Sequence, residues 1–311
     1  MGPITFTPLY MERVWGGRVL EEIYSRPLPH PINPFGESWE IVDRDPEQST
    51  VSSGPYAGKT LHDLWTHHRE EIFGHDLPTS ERFPLLIKIL DARDDLSIQV
   101  HPPVEKASAL GGEPKTEMWV ITDAAPGAKL YAGLKRGVSR EQFEASIRVG
   151  SVANCVHAIT PKTGDSIFIP SGRLHAIGAG LLIFEIQQNS DTTYRVFDWN
   201  RSGLDGKPRE LHVEESLESI DFSDFEPSMD APNGDVLAQC AYFKTSRLQI
   251  EEGHLLTNPD PDRFTIIGLV EGSLLSTDDR RFTKGDFLIL PKGASPLVAQ
   301  GPTVALQVEL P

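Results

Sequence analysis

Cysteine is nearly absent: Cys155 and Cys240 are the only two among 311 residues. That excludes a disulfide framework and fits a reducing, cytoplasmic compartment. Basic residues are in the minority, 29 Lys and Arg against 45 Asp and Glu, and the formal net charge of −16 repels a polyanion over most of the surface. No nucleic-acid partner is expected. A small anion stays open, because a few cations focused in a cleft decide that locally. Long apolar runs are also missing: the stretch from Phe83 to Leu90 is broken by Pro84 and Lys88, and the opening residues MGPITFTPLYMERVWGG lack the basic-then-apolar order of a secretion signal. Neither a membrane span nor a membrane partner is expected.

What is present is punctuation. With 26 Gly and 25 Pro spread along it, the chain reads as many short segments between turns, which favours a mainly β fold. Residues 97–101, 117–121 and 166–169 carry strand patterns, and 264–270 and 282–290 read as strands further on. Helical spacing appears in three places: Leu61, Leu64, Trp65, His68 and Ile72 behind Thr60; Phe143 and Ile147 behind a Ser139–Gln142 capping box; and a weaker pattern over 210–220. These are accessories to the sheets. A nine-residue unit, G-D-x-x-x-x-P-x-G, occurs at 164–172 and again at 285–293: a tight turn, a short buried strand and a second turn. Between the copies, residues 221–235 are acidic and contain Pro and Gly, as an exposed boundary does, so the expected domains are 1–230 and 231–311.

The two copies differ in their continuation. Arg173, Leu174 and His175 come directly after the first, while Ala294, Ser295 and Pro296 come after the second, which points to one working site in the N-terminal copy. In 97–101, alternation puts Gln99 and His101 on one face and Ile98 and Val100 on the other; the same rule pairs Lys115 with Glu117. Gln99, His101, Glu117 and His175 thus offer nitrogen and oxygen ligands. Two imidazoles and a carboxylate suit Zn(II) or Fe(II), and thiolate is absent from the set. His62, His67, His68 and His75 read as a solvated polar face.

In order along the chain, VWGG at 14–17, GESWEI at 36–41, FPLLIKIL at 83–90, LSIQVHP at 96–102, KTEMW at 115–119, PSGRLHA at 170–176, QQNSDTTYRVFDW at 187–199 and PRELH at 208–212 resemble the type I phosphomannose isomerases of the cupin superfamily, in their short bacterial form. The resemblance implies two cupin-like jelly-roll β-barrels, the N-terminal one catalytic and the smaller C-terminal one without metal ligands. It implies one Zn(II) per chain on Gln99, His101, Glu117 and His175, an active-site Arg195, and substrate contacts from Ser97 and Lys88, which are expected to meet the phosphate. The reaction implied is interconversion of mannose 6-phosphate and fructose 6-phosphate through a cis-enediol, with a sugar phosphate as the small-molecule partner and a monomer or homodimer as the assembly. Lys115, next to a cation, is then the expected base, and Arg195 the group that stabilises enediolate charge. Two readings compete: an Fe(II) cupin dioxygenase, since two histidines and one carboxylate also hold non-haem iron, and a non-catalytic sugar-binding cupin.

Overall fold

The computed structural model describes all residues, Met1–Pro311. It is mainly β, as expected, with a few short helices, none of them long and apolar enough to cross a membrane. The chain forms two compact units: an internal one of Tyr10–Ser38 and Lys88–Asp230, and a terminal one of Met1–Leu9, Trp39–Ile87 and Ala231–Pro311.

The internal unit is built on two antiparallel sheets. One has the strand order Ser166–Ile169, Glu117–Ala124, Leu181–Gln188, Leu85–Ala92, Leu9–Gly17, Phe35–Ile41; the other runs Tyr194–Phe197, Ile98–Val100, His175–Ile177, Leu130–Leu134, Val156–Ile159. Trp119, Ile121, Ile167 and Ile183 of the first share one apolar cluster with Leu130, Ala132 and Ile177 of the second, so the sheets face each other as a sandwich. The outer face of the second sheet is covered as well: Ile98, Val100 and Val196 pack there with Phe143 of the helix Arg140–Arg148 and Leu217 of the helix Val213–Ser219. The glycines of VWGG and GESWEI have a steric reason. A Cβ on Gly16 would lie 2.3 Å from the Gly36 backbone, and one on Gly36 would lie 2.5 Å from the Trp15 ring.

The terminal unit repeats the plan. Its five-stranded sheet (Val236–Gln239, Lys244–Ile250, Thr303–Glu309, Thr265–Glu271, Phe287–Leu290) shares one core with a four-stranded sheet (Leu255–Leu256, Leu297–Ala299, Ser273–Leu275, Arg281–Thr283). Residues 39–87 enter this unit through aromatic packing: Trp65, Phe73, Phe83 and Phe264 stack with ring centroids 5.0 to 5.8 Å apart. The periodic segment after Thr60 forms two helices, Leu61–His67 and Arg69–Ile72, because His68 leaves helical geometry at φ −125°. The reading of 282–290 likewise resolves into two strands around a turn.

Both copies of the nine-residue unit fold alike. Gly164 and Gly285 take left-handed backbone at φ 92° and 89°. The following aspartates each accept a hydrogen bond from the backbone N–H three residues back, Asp165 from Lys162 at 2.8 Å and Asp286 from Thr283 at 2.7 Å. The repeat is a strand-launching turn.

At Ser139 the expected capping box is complete: Gln142 N–H donates to the Ser139 hydroxyl, and Ser139 N–H to the Gln142 side chain. Ser139→Ala should cost about 1 kcal/mol in denaturant unfolding.

Candidate functional site

Pairing across the five-stranded sheet sets Arg195 and His175 on either side of Gln99 in one row. Side chains directly opposite in an antiparallel pair share a face, so all three project into the sandwich while Ile98 and Val100 project outward. From the facing sheet come Glu117, Trp119 and Glu185, whose strands pair Glu117 with Gln187 and Trp119 with Glu185. His101 lies one residue past its strand, held there by Gly172 N–H donating to its carbonyl at 2.9 Å.

His101, Glu117 and His175 are buried, with one donor atom of each inside a 4.8 Å cluster. Nε2 of His101 lies 3.5 Å from one oxygen of Glu117, and Nε2 of His175 lies 3.6 Å from the other. Such spacings fit the edges of a tetrahedron around an ion with bonds of ~2.1 Å. Both Nδ1 atoms donate outward to backbone carbonyls, His101 to Thr192 and His175 to Arg173, each at 2.8 Å. That fixes the tautomer and leaves the inward Nε2 atoms with lone pairs. Burial, first, holds both imidazoles neutral, with His101 pushed down to about 3. Nε2 of His101 has no hydrogen-bond partner, and neither oxygen of Glu117 has one apart from the Lys115 ammonium 3.1 Å away. Orphaned acceptors at this depth are costly unless a cation meets them, and the residues therefore fit a divalent metal. Burial opposes ionisation of Glu117, but Lys115 and the two histidines outweigh it and hold the carboxyl well below its ordinary range. Gln99 stands at the rim, its amide nitrogen 3.3 Å from His175 Nε2 and its oxygen accepting from Ser97 at 3.2 Å.

A cavity of about 600 Å³ opens beside this cluster, lined among others by Lys88, Ser97, Gln99, Lys115, His175 and Arg195. All the residues expected from the sequence are thus in or beside one cavity, with His101 and Glu117 at its buried end. Lys88 sits in a central strand and is only 3% exposed, among Glu37 at 3.4 Å, Glu185 at 3.8 Å and Asp191 at 3.8 Å. Lys115 is held protonated: burial alone would lower its pKa, but Glu117, Glu185 and Asp191 raise it above the usual lysine range. Arg195 donates to Ser97 at 3.3 Å and to the Glu210 carbonyl at 2.9 Å.

Sequence reading missed Glu185. Its carboxylate accepts from the Trp119 indole at 2.9 Å, and burial, followed by the charge of Glu117, pushes its pKa up to about 7. A cavity carboxyl near neutrality can give or take a proton; the available signal was one acid inside the apolar run LLIFEIQQ. Also unread was the clamp behind His175, where Arg173 grips Asp224 through two bonds of 2.8 and 3.0 Å while its carbonyl orients the imidazole.

A family model described as phosphomannose isomerase type I, catalytic domain, matches residues 4–114. Mannose-6-phosphate isomerase ManA of Bacillus subtilis is 36% identical over 312 residues, covering 96% of each chain. The crystal structure of mannose 6-phosphate isomerase from Bacillus subtilis superposes with a TM-score of 0.88 at 33% identity, covering 100% of both chains. A more distant structure, of a mannose 6-phosphate isomerase bound with zinc and yttrium, shares the fold at a TM-score of 0.76, with 16% identity and 100% coverage of both chains.

Because the Arg173–Asp224 clamp acts on His175 through one carbonyl, Asp224→Asn should weaken divalent-metal affinity about 10- to 100-fold while the chain stays folded, as read by competition with a chromogenic chelator.

Proposed function

The chain belongs to the type I phosphomannose isomerases and is an isomerase, and from that premise we propose that it interconverts mannose 6-phosphate and fructose 6-phosphate at the cavity of the internal unit, with Zn(II) as its metal. The observation that carries this reading is the inward-facing set of His101, Glu117 and His175, with its orphaned acceptors, opening on a cavity lined by Lys88, Lys115 and Arg195. His101, Glu117 and His175 would hold the metal, and a half-turn of the Gln99 amide brings its oxygen to the His175 side as a fourth ligand. A dication held there would supply Lewis acidity to the substrate carbonyl, with Lys115 beside Glu117 placed to carry the proton.

The rest falls to side chains of this chain. Aldose–ketose interconversion moves a proton between C1 and C2 through a cis-enediol, so it needs one group that carries the proton and others that stabilise oxyanion charge. Lys115 is assigned the proton. Arg195, fixed by Ser97 and the Glu210 carbonyl, is assigned the developing negative charge, and Ser97 and Lys88 are assigned to the substrate phosphate. Lys88, Lys115 and Arg195 in the cavity lining favour a polar anionic substrate over the apolar one an oxygenase would take. Residues 231–311, which keep the strand-launching turn and lose the histidine, are assigned a supporting role without metal ligands.

Stripping the protein with chelator and restoring Zn(II) should abolish and then recover conversion of mannose 6-phosphate in a coupled assay; bound zinc without turnover would sink the reading. Arg195→Ala should keep its metal and lose turnover by about 10²- to 10³-fold, the usual worth of one oxyanion-stabilising donor.

A further inference from the structure

We propose that His212 is the positioning residue of Arg195: it occupies the open edge of the strand that carries the arginine and fixes the backbone from which the guanidinium reaches the cavity. The proposal rests on the reading that Arg195 stabilises enediolate charge.

Tyr194–Phe197 is the edge strand of its sheet and pairs on one side only, with Ile98–Val100. Its register slips between Arg195 and Phe197, so a bulge lies directly beside the arginine. In an antiparallel ladder the N–H and C=O of one residue point the same way, and at Arg195 both meet His212 rather than the paired strand. An open edge of this kind needs a cover. The chain supplies one by folding back: after Phe197 the backbone of Trp199 and Asn200 turns left-handed, φ 55° at both, and Ser202 bridges to Pro208 in a hairpin that returns residues 210–212 to Arg195. The returning segment grips the arginine by backbone and side chain alike. His212 N–H donates to the Arg195 carbonyl at 2.8 Å, Arg195 N–H donates to His212 Nδ1 at 3.3 Å, and Arg195 Nη1 donates to the Glu210 carbonyl at 2.9 Å. The imidazole nitrogen stands where the carbonyl of a further strand would stand.

His212 also precedes the helix Val213–Ser219, and there it breaks a local rule. Ser, Thr, Asp or Asn is favoured at that position because a side-chain oxygen accepts from the N–H groups of the first turn. The His212 side chain makes no such bond and turns back to Arg195 instead. A residue that forgoes the helix cap for a bond to the arginine backbone marks a position kept for function rather than for helix stability. Tyr194 backs the imidazole, with ring centroids 6.0 Å apart, and its own hydroxyl is fixed by donating to the Leu110 carbonyl at 2.8 Å. Without the Nδ1 bond the edge would be held at Arg195 by its carbonyl alone. A guanidinium several bonds out from a backbone free to pivot shifts further than the backbone does, and small misplacements of a charge-stabilising group are expensive in rate.

The test compares His212→Ser and His212→Asn, each alone and combined with Arg195→Ala, on the zinc-loaded protein. The readouts are kcat and KM for mannose 6-phosphate, metal content, melting temperature, and hydrogen exchange of the Arg195 amide followed by NMR of the isotope-labelled chain. Serine suits the helix start but is one bond too short to replace Nδ1, whereas asparagine can set its side-chain oxygen where Nδ1 was. Positioning predicts that His212→Ser lowers kcat about 10-fold and speeds exchange of the Arg195 amide, with KM, metal content and melting temperature held, and that His212→Asn recovers most of both. Combined with Arg195→Ala, the serine substitution should cost no further kcat, because it acts only through that side chain. An unchanged kcat in His212→Ser, a loss repeated in full without Arg195, or a loss that follows melting temperature in both variants overturns the proposal; so does an Arg195 amide whose exchange neither variant alters, whether or not the protein turns over. A zinc-loaded wild type that does not isomerise mannose 6-phosphate, but whose Arg195 amide loses protection with serine and keeps it with asparagine, would support the hold of His212 and overturn the reading of the function instead.

Discussion

A carboxylate and two neutral imidazoles face one another inside a sandwich of two sheets, and the rest of the internal unit is arranged around that unfavourable fact. Removing Glu117 from water costs several kcal/mol before any partner is counted. Lys115 offsets part of this at 3.1 Å, and the remaining acceptors on Glu117 and His101 are left for a dication. Backbone carbonyls of Thr192 and Arg173 fix the imidazoles, the second backed by the grip of Arg173 on Asp224, and the register of three strands places Arg195, Gln99 and His175 in a row. A site this buried needs rigid elements, because a rotated imidazole would turn a ligand into a donor.

Charge is sorted along the cavity. The inner end pairs its ammonium groups with carboxylates at 3.1 to 3.8 Å, which suits a metal and proton movement. The outer wall carries Arg195 and Arg209. The two ends come from different kinds of structure: the inner one from sheet strands, the outer one from the hairpin after Phe197. Strands give fixed spacing, whereas a closed loop lets Arg201 and Arg209 converge on Asp198 across a short sequence separation.

Much of this was legible in the chain itself. Alternation assigned Gln99 and His101 to one face and paired Lys115 with Glu117; the capping residues at Thr60 and Ser139 predicted helix starts that the structure contains; the repeated turn predicted two equivalent strands. Each of these is a local rule, satisfied within a few residues. Glu185 and the clamp of Arg173 on Asp224 were not legible, since one buried acid in an apolar strand and one arginine near a histidine carry no local signal of their partners, 66 and 51 residues away. The grouping of 39–87 with 231–311 was hidden for the same reason, resting on Phe264 meeting Phe73 and Phe83.

By itself the sequence determined the mainly β class, the turn-bounded strands and the imidazole and carboxylate donors that meet beside the cavity, because hydrophobic period, turn chemistry and donor chemistry are properties of neighbouring residues. The tertiary structure alone decided that Lys88 is enclosed by carboxylates, that burial pushes the Glu185 carboxyl up to about 7, and that Arg209 lines the cavity with Arg195. Those are matters of burial and of charges brought together from distant positions, and only the packed chain sets the distances on which they depend.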